Sequence, residues 1–116
     1  IEQAARAVRG TPTRVPPDRL ARDLYLLVEA VAVDRALARD FSGLVAGLRA
    51  ARAAALRERP PLERLTALER TVEQLFREVL AADPAAALAA IPLSPTPDYS
   101  LRWARATGRR LAATFR

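Results

Sequence analysis

The chain has 116 residues, 51% hydrophobic and 28% charged, with arginine as its only basic residue type and a formal net charge of +6. That is too apolar for a disordered segment, and one core is the default at this length. His, Cys and Met are all absent, which removes the commonest general base, thiolate chemistry, disulfides and the usual metal and haem ligands.

Residues 1–17, "IEQAARAVRGTPTRVPP", begin helix-compatible and then break at Gly10, Pro12, Pro16 and Pro17. They are expected to form an extended N-terminal arm, because proline and glycine stop helices and the apolar content is low. From Asp18 the pattern changes. Asp18 can cap a helix whose apolar positions Leu20, Leu24, Leu27, Val28 and Val31 recur at three and four residues. Within it, "LYLLVEAVAV" is the longest apolar run, half of what a membrane span needs and interrupted by Glu29, so no membrane span is expected.

Around "DFSG" at 40–43 the spacing of Leu37, Phe41, Leu44 and Leu48 would allow one continuous helix. A break capped by Ser42 is favoured, because an unbroken helix over 18–58 would be about 60 Å long. In "GLRAARAAALRE" the small residues Gly47, Ala51, Ala54 and Ala55 suit close approach of a neighbouring backbone, with Arg49, Arg52 and Arg57 extending outward. Pro60 and Pro61 end that helix, and Pro61 fits the first position of the next. There Leu62, Leu65, Leu68, Val72, Leu75, Phe76, Val79 and Leu80 form a continuous stripe, while Glu73 and Arg77 can pair across an exposed turn. "DPAAALAAI" from Asp83 reads as a short helical restart, and "PLSPTP" at 92–97 as a stiff connection in which Thr96 or, just after it, Asp98 can cap the last helix. That helix carries an inner stripe at Leu101, Ala104, Gly108, Leu111 and Phe115.

The expected fold is therefore all-α: a single bundle domain over residues 18–116, with four main helices, one short helical insert, and the 62–80 stripe at its centre. Alternation of β-branched with polar residues, the mark of strands, is absent.

Chemistry is sparse. Glu69 and Glu73 stand four apart but off the apolar stripe, beside Arg70 and Arg77, and so read as a solvated face; a dimetal bundle would need Glu-x-x-His pairs. None of the four glycines belongs to a phosphate-binding loop. No cofactor, metal or catalytic residue is expected.

Charge is the remaining signal. Residues 99–116 carry +5, residues 18–98 carry −1 and the arm +2. Arginine-rich usage follows from nucleotide composition as readily as from function, but this polarisation singles out the last helix. Tyr99, Arg102, Trp103, Arg105, Arg109 and Arg110 are its candidate partner-binding residues, with Trp103 as anchor. The expected function is a non-catalytic structural or accessory subunit that binds a protein partner in a larger assembly. The alternative is a nucleic-acid-binding helical protein that uses the same arginines on phosphates and the two rings for stacking.

Overall fold

A computed structural model of the chain describes residues 18–115. The arm expected over residues 1–17 lies outside the described residues. Four helices follow one another: α1 (Arg19–Asp40), α2 (Val45–Arg57), α3 (Ala67–Ala81) and α4 (Pro97–Thr114), with single 3₁₀ turns at Ser42–Leu44 and Leu62–Arg64. There is no strand among the described residues, and the fold is an all-α helical bundle.

The centre is α1 rather than the 62–80 stripe. Leu24 and Val28 are completely buried, and Ala21, Tyr25, Leu27, Val31, Ala32, Val33, Leu37 and Ala38 are nearly so. A helix covered on most of its circumference needs apolar residues all round, which is what "LYLLVEAVAV" supplies. α3 packs from outside and buries one face only, so its stripe is the sharper pattern although Leu68, Leu75 and Phe76 stay half-exposed.

Two apolar clusters share α1. Leu27, Val28 and Val31 meet Val79 and Ile91; Leu24 and Tyr25 meet Leu101 and Ala104; Leu75 and Trp103 pack against both clusters. α4 runs antiparallel to α1, since Ala21 lies against Gly108 at one end and Glu29 against Ser100 at the other. Ser100, Ala104 and Gly108 recur every four residues, and this row of small residues is what admits the α1 backbone. The close approach read into Gly47 does not occur there: a methyl group on Gly47 would meet nothing within 4 Å, whereas one on Gly108 would rest 3.8 Å from Ala21.

Caps set the boundaries. The Asp18 carboxylate accepts from the Leu20 and Ala21 amides, as its position suggests. α1 does break before α2, but through the non-helical backbone of Phe41, and Ser42 makes no side-chain cap. α3 starts at Ala67, six residues later than Pro61 suggests, because Thr66 and Glu69 form a reciprocal capping box: Thr66 Oγ1 accepts from the Glu69 amide at 3.2 Å and Glu69 Oε1 from the Thr66 amide at 2.9 Å. Thr96, rather than Asp98, caps α4, accepting from the Tyr99 amide at 3.1 Å, with Pro97 in the first turn.

The short helical insert expected at 83–91 is not formed. Asp83 instead closes a single turn, its carboxylate accepting from the Ala85 amide and its carbonyl from the Ala86 amide. With Pro84 at one end and Pro92 restricting Ile91 at the other, too few residues remain to offset helix nucleation. The segment is nevertheless pinned, because Pro84 and Ile91 are buried.

Candidate functional site

Helical periodicity and the α1 contact divide α4 into two faces. Ser100, Leu101, Ala104, Thr107 and Gly108 point inward and are buried. Tyr99, Arg102, Ala106, Arg109, Arg110 and Ala113 share the opposite side, and all are exposed. Two short alanines in the middle of this outer face leave the guanidinium groups around them unobstructed.

The sequence-derived residues thus fall into two sets. Tyr99, Arg102, Arg109 and Arg110 are brought together on the outer face. Arg105 and Trp103 lie at its opposite edges, each half-buried. Trp103, expected as the anchor, packs against both core clusters and so leaves only part of its ring on the surface. Tyr99, 37% exposed, is the ring left on the outer face.

Electrostatically the face is unmatched. Among the described residues, Arg102, Arg105, Arg109 and Arg110 make no ion pair, nor do Arg22, Arg35, Arg57, Arg64 and Arg70 on other elements, whereas Arg19, Arg39, Arg49, Arg52, Arg59 and Arg77 each reach a carboxylate within the bundle. The acid in the first turn of α4 is exposed Asp98, one turn before Arg102 without forming an ion pair with it, and at the end remote from Arg109 and Arg110.

The other polar groupings face inward and join helices. Glu29 of α1, 5% exposed, accepts from the Ser100 hydroxyl at 2.5 Å, and the Ser94 hydroxyl lies 2.6 Å from that of Ser100 while donating to the Thr96 carbonyl at 2.7 Å. Glu73 is also buried, correcting its reading as a solvated carboxylate: Arg59 grips it through two bonds of 2.6 and 2.5 Å, with Arg77 beside it at 3.4 Å. Those Arg59 bonds hold the Glu73 carboxyl below the usual carboxylate range. The Arg59 guanidinium also lies 5.0 Å from the centre of the Phe76 ring.

Arg52 is the residue that sequence reasoning placed on the wrong side. It is 6% exposed, its Nε and Nη2 donate to Asp34 at 3.0 and 2.8 Å, and its Nη1 donates to the carbonyls of Val79 at 2.6 Å and Ala82 at 3.0 Å. The available signal was position: Arg52 lies four residues after Leu48 and three and four before Ala55 and Leu56, on the helix face that meets the bundle. Among the described residues, clefts of about 610 Å³ between the start of α1 and α3 and of about 350 Å³ among α1, α2 and α3 open at the surface. Among the described residues no group of three potential metal ligands converges, and no helix is long and apolar enough to cross a membrane.

No known protein family matches the sequence, and neither a characterised protein nor a solved structure is significantly similar to it.

Proposed function

We propose that the chain is a non-catalytic accessory subunit that docks an acidic surface of a partner protein through the outer face of α4. One observation carries this reading: Arg102, Arg109 and Arg110 are gathered with Tyr99 on a face that no described element covers, and none of the three makes an ion pair among the described residues. Arginine and tyrosine are the residue types that carry binding energy in protein interfaces, and guanidinium forks recognise carboxylates bidentately. Further support comes from three buried or half-buried acids. Glu29, Asp34 and Glu73 are each engaged in a contact that ties one element to another, which is a structural use of the carboxylates an enzyme would otherwise draw on.

The nucleic-acid alternative draws on the same guanidinium groups. It is weaker because stacking on single strands needs several exposed rings, and Trp103 is half-buried against the core.

Charge reversal separates the two. In affinity enrichment at about 0.15 M salt, an acidic protein should be retained by the native chain and lost with Arg102→Glu, Arg109→Glu and Arg110→Glu together, while helical content is unchanged. Labelled single-stranded and duplex oligonucleotides, titrated against both forms, should show no binding at micromolar concentration. Micromolar or tighter oligonucleotide binding that the triple variant abolishes would replace the protein reading with the nucleic-acid one.

A further inference from the structure

Helix α2 is attached to the bundle differently from its neighbours. Among its 13 residues Arg52 alone is buried. Val45, Leu48, Ala54, Ala55 and Leu56 are half-buried, and the other face, with Ala46, Ala50 and Ala53, is open to solvent. The helix starts without a side-chain cap. Apart from Arg52, its side-chain polar tie to the bundle is the ion pair of Arg49 with Asp83, which is exposed on both sides and so contributes little. The α1–α4 pair, by contrast, is joined through fully buried Leu24, Val28, Ser100 and Ala104.

We infer that α2, which packs chiefly on α3, is a lid fastened to α1 by one ionic clasp, the Arg52 guanidinium spanning Asp34 of α1 and the terminal carbonyls of α3, and that it opens while α1 and α4 remain paired. The physical reason is the origin of its attachment energy. An apolar contact is lost outright when an element detaches, whereas a buried guanidinium and carboxylate recover their hydration, so much of the lost ion-pair energy is returned. Opening then costs less than unfolding the bundle, which is the condition for a separate cooperative unit. Release of α2 would uncover the floor of the 350 Å³ cleft, including Leu27, Ala30, Val79 and Leu80, of which Leu27 and Val79 are now almost completely buried.

Amide hydrogen exchange followed by mass spectrometry through a urea series tests this on the whole chain. Residues 45–57 should exchange through an opening that is more frequent, and less dependent on urea, than that of residues 19–40 and 97–114. Leu101→Ala, which weakens the α1–α4 seam, should speed exchange in α1 and α4 by at least about tenfold and leave α2 unchanged. Asp34→Asn, which breaks the clasp, should speed exchange in α2 by at least about tenfold. Exchange of α2 in step with α1 throughout the urea series would overturn the inference, and so would acceleration of α2 by the same factor as α4 in Leu101→Ala. An unchanged α2 in Asp34→Asn would overturn the role of the clasp. If either variant fails to fold, the urea series on the native chain decides the question alone.

Discussion

Gly108 faces Ala21 across the α1–α4 contact, and the space beside it is one methyl wide. An added Cβ would stand 3.8 Å from the Ala21 backbone and from Leu20, an ordinary contact distance. Gly108→Ala should therefore stabilise the chain by about 0.5–1 kcal/mol, through helix propensity and a less flexible unfolded chain. Burial ranks the leucines in the opposite sense. Leu24→Ala, at a completely buried site, should fall in the upper half of about 2–5 kcal/mol of destabilisation, and Leu75→Ala, half-exposed, at or below its lower end. Urea unfolding midpoints measure all three. Reversal of the leucine order would mean that α3, and not α1, is the core helix. Titration adds another sign. Arg59 depresses the Glu73 carboxyl, so the unfolded chain takes up that proton first as pH falls. The associated stability is present above the ordinary carboxylate value of about 4.3 and is lost as pH drops through the folded-state value. Asp83, held down by the Ala85 amide and then Arg49, and Glu69, held down by Thr66, act in the same direction. Glu73→Gln should lower stability at neutral pH and flatten its decline in acid, as followed by thermal unfolding between about pH 2 and 7.

At the scale of elements, the order of the helices could be read from periodicity, but their positions in the bundle could not. The stripe over 62–80 is the cleanest pattern in the chain because α3 meets water on one side; α1 looks less regular because it is surrounded. A strong amphipathic pattern marks a peripheral helix, and a more uniform apolar run marks a central one. The start of α3 was also legible, in Thr66 followed three residues later by Glu69, but Pro61 drew attention to the wrong boundary. Thr66→Ala should cost about 0.5–2 kcal/mol by thermal unfolding, whereas replacing Pro61, which precedes the 3₁₀ turn and not the helix, should have a smaller effect. The failed insert at 83–91 has another origin. Alanine favours helix, yet Ile91 is claimed by the core and proline stands at both ends, so tertiary contacts override propensity.

For the molecule as a whole, arginine is divided between two uses. Arg49 and Arg52 of α2, Arg59 of the connection and Arg77 of α3 bond carboxylates and carbonyls and join elements, while Arg57, Arg64 and Arg70 are exposed and make no ion pair among the described residues. Of those in α4, Arg102, Arg109 and Arg110 are exposed and Arg105 half-buried, and none pairs with anything described. Sequence alone revealed the excess charge at this end and most of the residues on the face. It could not separate Trp103 from that set, because a ring at the edge of the inner stripe suits a core seam and an interface equally well until the neighbouring helices are placed. The outer face of α4 is proposed to meet a protein. A photo-crosslinking residue in place of exposed Ala106, which is encircled by Arg102, Arg109 and Arg110, tests it most directly. The account predicts that irradiation at physiological ionic strength joins the chain to an acidic protein, and that the adduct disappears when the three arginines are changed to glutamate. Crosslinking to nucleic acid, or an adduct that survives the charge reversal, would contradict it.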